Sequence, residues 1–335
     1  MGYSEIEKAR MMNGARIIAR KWIHLKAREH VLIVTTENHL KEAQLMKQCF
    51  RERSKYVDIL AVEEKGKRIG ILFDENEDIF DAYHTIVGAT EYSIVTTKAA
   101  KRAIERGGKF LSLPLSTNNE KSMLAYSFLK MDTKKSKLMA QVIKKYLDKA
   151  SVIDVTTAAG TKLRMHKDGR NAGFFNGDVK DGDGFSSASI ELYVPIEETR
   201  TEGTMVVDGS LGYIGKVTAP FKIQFSNGRI SEIEDNTDGK RLKDYLVSFQ
   251  DFGMYVAGEF GIGLNSYSKC RGKCYIEDES AYGTFHIGFG RNLALGGVHE
   301  ATSHFDLVAV EPDIYADNRR IMEKGKIIIP EPQVY

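Results

Sequence analysis

The first half of the chain alternates two hydrophobic patterns. Short runs rich in apolar and β-branched residues predict buried strands over residues 30–36, 56–62, 91–96 and 109–113. Apolar positions at helical spacing predict helices over residues 4–24, 39–53, 98–106 and 134–149, and Ser4 with Glu7 matches a capping box at the first helix. Strands that alternate with helices are typical of a parallel sheet with covered faces.

After residue 150 the pattern changes to short alternating runs between glycine-rich turns. It predicts strands over residues 152–156, 161–165, 189–195, 203–207, 221–225 and 229–234, and a helix over 238–248. Asn227 and Gly228 between two of these runs predict a tight hairpin, because both residues accept positive φ angles. We therefore expect an α/β N-terminal domain with a mainly parallel sheet in residues 1–150. Residues 151–335 would form a β-rich (α+β) domain.

The distribution of charge agrees with this division. Residues 1–150 carry 28 Lys and Arg against 19 Asp and Glu, whereas residues 151–335 carry 20 against 27. The total of +2 therefore combines a half of +9 with a half of −7. The lysines of the basic half are spread over helical faces rather than clustered with aromatic residues, so nucleic-acid binding is not expected.

Composition narrows the class of protein further. With 42% hydrophobic and 28% charged residues, the chain of 335 residues resembles an ordinary globular protein. The start is charged and no apolar stretch approaches a membrane span, so neither secretion nor membrane insertion is expected. Three cysteines cannot form a paired framework, and Cys270 with Cys274 lacks the second pair of a zinc cluster. We expect reduced thiols in the cytoplasm.

Two histidines and an aspartate near the end of the chain suggest a metal site. Residues 283–290, Gly-Thr-Phe-His-Ile-Gly-Phe-Gly, alternate like a strand with His286 on one face. His304 and Asp306 lie two residues apart in a second predicted strand and therefore share a face. Two imidazoles and a carboxylate suit a catalytic transition metal with open positions. The alternative is a pair of core histidines with satisfied hydrogen bonds.

A longer motif resembles the aminopeptidase T family. Residues 258–265, Gly-Glu-Phe-Gly-Ile-Gly-Leu-Asn, precede Glu279, the Gly-Thr-Phe-His run and His304-x-Asp306 in the family's order. The resemblance also covers residues 190–197, 203–210 and 110–114. It implies an α/β domain followed by a β-rich domain, a homodimer, and removal of N-terminal amino acids from small peptides by metal-activated water.

The resemblance also implies a ligand set. Carried over by position, Glu191 and Glu259 would be carboxylate ligands, and His286, His304 and Asp306 would complete the site. Glu191 would bridge two ions, and Glu259 would act as the general base or share in ligation. The metal would be Zn, Co or Mn, with up to two ions. Glu279 would be a surface group or a neighbour of a ligand.

One departure from the family opens other interpretations. The family has a metal-site tyrosine seven residues after the first histidine, where this chain has Leu293, and only 18 positions separate the two histidines. The 2,5-dihydroxypyridine dioxygenases are similar relatives in which His286, His304 and Asp306 would hold one Fe(II), leaving positions for O2 and a chelating ring. A non-catalytic binding protein is the third interpretation. We expect a metallo-aminopeptidase, with the dioxygenase as the alternative.

Overall fold

The computed structural model describes residues 3–182 and 184–329. In chain order the helices are α1 Glu5–Ile17, α2 Leu40–Phe50, α3 Gly70–Glu75, α4 Lys98–Glu105, α5 Thr133–Leu147, α6 Thr237–Val247 and α7 Tyr275–Ser280. The first nine strands are β1 Val31–Thr36, β2 Val57–Val62, β3 Thr85–Ala89, β4 Lys109–Ser112, β5 Val152–Thr156, β6 Lys162–His166, β7 Gly173–Phe175, β8 Phe185–Ser187 and β9 Glu191–Pro195. The others are β10 Thr201–Val207, β11 Phe221–Ser226, β12 Arg229–Ile233, β13 Ala257–Gly263, β14 Thr284–Gly290, β15 His304–Val310, β16 Asp313–Ala316, β17 Arg319–Glu323 and β18 Lys326–Ile327.

These elements form two compact units. The first contains the chain up to Thr133 together with Phe175–Ser189, and the second contains Lys134–Phe174 and the chain from Ile190 onward. A short segment from the second half therefore belongs to the first unit. The division at residue 150 stays a prediction about domains, because compactness alone does not show which segments fold independently.

A parallel sheet forms the centre of the first unit. Its strand order is β2-β1-β3-β4-β8, and all four pairings are parallel. Every residue of β1 is buried, as expected for an apolar strand covered on both faces. One side of the sheet packs into a core with Ile69, Phe73 and Phe80. The predicted parallel sheet is confirmed.

The strand predicted over residues 91–96 is wrong. The third strand is instead Thr85–Ala89, and the chain after it turns towards α4. The Thr90 hydroxyl donates to the carbonyl of Tyr92, and the Thr97 hydroxyl donates to the carbonyl of Ile94 before capping α4. Such local side-chain bonds compete with a sheet ladder.

The second unit is rich in antiparallel strands. One sheet has eight strands in the order β12-β11-β10-β6-β5-β16-β17-β18. The predicted hairpin joins β11 to β12, with φ of 51° at Asn227 and 76° at Gly228. The other sheet has the order β15-β14-β13-β9-β7, and antiparallel pairs join β9, β13, β14 and β15. The predicted fold class, a parallel α/β part with a β-rich part, is confirmed.

None of the helices in the described part of the chain is long and apolar enough to cross a membrane.

Candidate metal centre

The candidate ligands lie on four neighbouring strands of the smaller sheet in the second unit, in the order β15, β14, β13 and β9. Along β13 the sequence Ala-Gly-Glu-Phe-Gly-Ile-Gly places Glu259 on one face and Phe260 and Ile262 on the other, where both are fully buried. On β14, His286 shares its face with Gly288, while Ile287 and its apolar neighbours pack into the core. The apolar face anchors the sheet and leaves the other face for polar groups.

Each candidate ligand faces a glycine on the adjacent strand. The pairs are Glu259 with Gly288, Asp306 with Gly288, His286 with Gly261, His304 with Gly290, and Glu191 with Gly263. Directly opposite side chains on one face would be about 4.5–5.5 Å apart at their Cβ atoms, so glycine opens space beside each donor.

Two of these glycines are required by close contact. A Cβ at Gly261 would lie 1.9 Å from Nε2 of His286, and one at Gly288 would lie 2.7 Å from Oε2 of Glu259. A side chain at either position would therefore displace a candidate ligand. We call the glycines that lie against the ligand side chains the glycine cradle. Their spacing in residues 258–263 and 286–290 is a sequence signal for the site.

The structure brings all five predicted site residues together, in two overlapping groups. Ligand atoms of Glu191, Glu259 and His286 lie within 4.8 Å of one another, as do those of Glu259, His304 and Asp306. The Nε2 atom of His286 is 3.1 Å from Glu191 Oε2 and 3.9 Å from Glu259 Oε1. Glu259 is the shared member, since its Oε2 atom is also 3.0 Å from Nε2 of His304.

The orientation of His304 fits a cation at the centre. Its Nδ1 lies 2.9 Å from the carbonyl oxygen of Arg291, which makes Nδ1 the protonated nitrogen. In the neutral ring Nε2 then carries a lone pair, yet it faces Glu259 Oε2 and, at 3.3 Å, Asp306 Oδ1. Only a cation, either a proton or a metal ion, relieves this repulsion. A backbone carbonyl that fixes the ring in this way is the usual support of a metal-binding histidine.

The charges of the site respond strongly to one another. Burial alone would lower the pKa values of His286 and His304, but the surrounding carboxylates raise both well above the ordinary range. Burial would raise the pKa of Asp306, yet the two imidazoles bring it to about 2. The pKa of Glu259 is lowered in the same way against its burial, whereas burial prevails at Glu191 and raises its pKa. Binding of a metal ion by the imidazoles would therefore compete with their protonation.

Two further residues belong to this environment. Glu279 is 4% exposed, so of the two expected possibilities the surface group does not fit and the neighbour of a ligand does, since the charge of Glu191 acts on it. Burial, followed by the charge of Glu191, raises the pKa of Glu279 well above its ordinary value. Tyr275, which no sequence pattern singled out, donates its hydroxyl hydrogen to Oδ2 of Asp306.

Some buried polar atoms of the site have no hydrogen-bond partner among the described residues. They include Nδ1 of His286, Oε2 of Glu279 and Oδ1 of Asp306. Leu293, at the position of the resembled family's tyrosine, lies on the loop after β14 and is 40% exposed. Buried imidazoles and carboxylates around a glycine-lined space are donors that suit Fe, Zn or Mn. The residues present therefore fit a transition-metal ion.

Comparisons with known proteins favour one family. A family model described as NicX, 2,5-dihydroxypyridine 5,6-dioxygenase, matches residues 86–329. The 2,5-dihydroxypyridine 5,6-dioxygenase of Pseudomonas putida is 26% identical over 157 residues, which are 42% of this chain and 43% of that protein. This match thus spans less than half of the relative's length.

Two solved structures share the fold. The 2,5-dihydroxypyridine dioxygenase of Pseudomonas putida aligns with a TM-score of 0.77 and 16% identity, covering 98% of this chain and 99% of that one. Wild-type AmpT from Thermus thermophilus aligns with a TM-score of 0.64 and 15% identity, covering 96% of this chain and 100% of that one. At these identities the two likenesses show a common scaffold and nothing finer.

Proposed function

The chain belongs to the 2,5-dihydroxypyridine 5,6-dioxygenase family, and on this basis we propose that it opens the ring of a dihydroxypyridine with O2. The observation that carries the proposal is the family match over residues 86–329, which includes all five candidate ligands. The substrate and the reaction are part of the proposal, because the match to the Pseudomonas putida dioxygenase covers only 43% of that protein.

The expectation of a metallo-aminopeptidase is wrong. The family model and the curated relative both carry the dioxygenase description, so the chain is not assigned as a hydrolase or protease and a peptide is not its expected substrate. AmpT shares the scaffold, which explains why motifs on the same strands resembled its family. The departure at Leu293 was the sequence feature that pointed away from peptide hydrolysis.

The proposed cofactor is one Fe(II) held by His286, His304 and Asp306. Support comes from the donor types, because two histidines and one carboxylate form the facial triad of non-haem Fe(II) oxygenases. Support also comes from His304, whose Nδ1 is occupied by the carbonyl of Arg291 so that Nε2 points at Asp306. When bound, ferrous iron supplies the electron exchange that lets a chelating ring react with O2.

Glu259 is the proposed proton acceptor. Its carboxylate lies 3.0 Å from the imidazole of His304 and is 3% exposed, so it is held beside the donors and shielded from water. A hydroxyl group of a ring bound at the triad would lose its proton to this carboxylate. Glu191, the second carboxylate against His286, would balance positive charge rather than contact the ring.

The proposal is tested by anaerobic loading with ferrous ion followed by addition of 2,5-dihydroxypyridine in air. We expect O2 uptake that matches loss of the ring absorbance, and neither change with His304→Ala. Iron-loaded protein that consumes no O2 and leaves the ring intact would contradict it.

The homodimer, the cytoplasmic location and the absence of nucleic-acid and membrane partners stay predictions.

A further inference from the structure

Tyr275 holds one oxygen of the proposed aspartate ligand. It is the first residue of α7, it is 6% exposed, and its hydroxyl donates to Oδ2 of Asp306 on β15. A phenol that donates to a carboxylate forms a charge-assisted bond, one of the stronger hydrogen bonds in proteins. Oδ2 of Asp306 therefore already has a partner within the protein.

The other oxygen of the same carboxylate faces the site. Oδ1 of Asp306 lies 3.3 Å from Nε2 of His304, the nitrogen left free for a metal ion. The two oxygens thus have different surroundings, since Oδ2 contacts a phenol and Oδ1 contacts the donor set. This difference fixes the rotation of the carboxylate group about its own axis.

The phenol ring of Tyr275 is held in place by a second tyrosine. The ring of Tyr213 stacks on it with centroids 3.9 Å apart and an interplanar angle of 19°. Gly212 makes this approach possible, because its φ is +57° and a Cβ there would lie 2.5 Å from the carbonyl oxygen of Asp306. The turn carrying Tyr213 therefore packs directly on the backbone of the aspartate.

Further bonds connect the elements that carry these groups. Asp278 on α7 accepts hydrogen bonds from the Ser210 hydroxyl at 2.8 Å and from the backbone NH of Arg271 at 2.7 Å. Ser210 in turn exchanges backbone hydrogen bonds with Val308 on β15, at 3.1 and 2.9 Å. These hydrogen bonds thus connect helix α7 and strand β15 through the turn before Tyr213, close to Tyr275 and Asp306.

We infer that Tyr275 is a positioning residue that reserves Oδ2 and keeps Asp306 a ligand through Oδ1 alone. The inference rests on the proposed function, because it takes Asp306 to be a metal ligand. A facial triad leaves coordination positions for O2 and a chelating ring only while its carboxylate binds the metal through one oxygen. Tyr275 would therefore protect the capacity to bind a chelating substrate rather than the affinity for the metal ion.

The test compares the wild-type chain with Tyr275→Phe after loading each with Co(II), a redox-stable probe whose visible bands weaken as coordination number rises. Phenylalanine keeps the ring and its stack but frees Oδ2 to chelate. We expect unchanged metal stoichiometry and affinity, because the freed Oδ2 would bind the ion itself, together with weaker Co(II) bands and a loss of affinity for the chelating probe pyridine-2-carboxylate. Tyr315→Phe, on the eight-stranded sheet, is the matched control and should change none of these.

Three results would overturn the inference. One is a loss of Co(II) affinity with the bands of the bound fraction unchanged, which would mean that Tyr275 only holds Asp306 in place. Another is a variant identical to wild type in both readouts, and the third is a wild-type chain that binds no Co(II). Should Tyr275→Phe not fold, Tyr213→Leu carries the test and should shift the bands in the same direction by less. If the expected spectral shift appears but dihydroxypyridines are not cleaved, the proposed reaction fails and the inference stands.

Discussion

Two clusters of imidazole and carboxylate groups within the described residues differ in what each ring nitrogen contacts. In the first unit, His39 lies between Glu91, 3.3 Å from Nε2, and Glu42, 3.8 Å from Nδ1. In the second unit, Nδ1 of His304 is occupied by the carbonyl of Arg291, and Nε2 faces the carboxylates of the candidate centre.

The comparison shows why a histidine among acidic residues does not by itself indicate a metal site. Both nitrogens of His39 serve carboxylates, so the ring is satisfied as a protonated cation and its pKa rises to about 9, although burial opposes this. His304 and His286 instead direct Nε2 atoms towards one carboxylate, in a space that glycines keep open. Convergence of several donors, the fixed tautomer of His304 and the glycines opposite the donors together distinguish the second cluster.

The largest expected effect separates the two clusters directly. His304→Ala should weaken binding of Fe(II) or Co(II) by more than about a hundredfold, because loss of even a supporting partner costs roughly 10–100-fold in affinity. His39→Ala should leave this affinity unchanged. Competition titration with a chelating indicator measures both. Equal losses in the two variants would show that the clusters do not differ as argued.

A second change tests the glycine cradle. Gly261→Ala places a methyl group 1.9 Å from the present position of His286 Nε2, so the imidazole must move and metal affinity should fall. The overpacking should also lower the free energy of unfolding by about 1–3 kcal/mol. Gly70→Ala is the control, because a Cβ there meets nothing closer than 3.5 Å. Chemical unfolding and metal titration report the two effects, and an alanine at 261 that alters neither would refute the cradle.

The last change, which should leave metal binding at the candidate centre unaffected, concerns the pH dependence of the His39 cluster. Its pKa in the folded protein is about 9, above the ordinary value of 6.5, so the protonated ring stabilises the fold fully below about pH 6.5. This contribution should be lost as pH rises through 9, and it is roughly 3 kcal/mol in size. The stability difference between wild type and His39→Gln should therefore shrink between pH 6.5 and 10. A difference that stays constant over this range would contradict the ion-pair description.

Three of the five candidate ligands, His286, His304 and Asp306, could be selected from sequence because alternation along a strand fixes which side chains share a face, whereas Glu191 and Glu259 were selected through the family resemblance. His304 and Asp306, two residues apart, followed directly from this period. Which strands lie side by side is a long-range property, so the meeting of Glu191 with the others depended on resemblance rather than on pattern. The glycines opposite each ligand carried the missing signal, since residues 258–263 and 286–290 repeat glycine on the polar face.

Other features depended on tertiary contacts that no local pattern specifies. Tyr275 and Glu279 lie on a helix of six residues, too short for helical spacing to reveal. Strand β8 has only three residues and joins the parallel sheet from the far side of the predicted boundary at 150. The segment 91–96 looked like a strand by composition, but local hydrogen bonds of Thr90 and Thr97 make it a turn. The reaction itself could not be chosen by pattern, because the dioxygenase and AmpT share one scaffold.

The central claim, that the second cluster supports ring cleavage by O2, is tested most directly with isotopically labelled oxygen. Iron-loaded protein is given 2,5-dihydroxypyridine under ¹⁸O2 in unlabelled water, and the product is analysed at once by mass spectrometry. We expect a ring-opened product that contains both labelled oxygen atoms. A product with one label or none, or an unaltered ring in protein shown to hold iron, would contradict it.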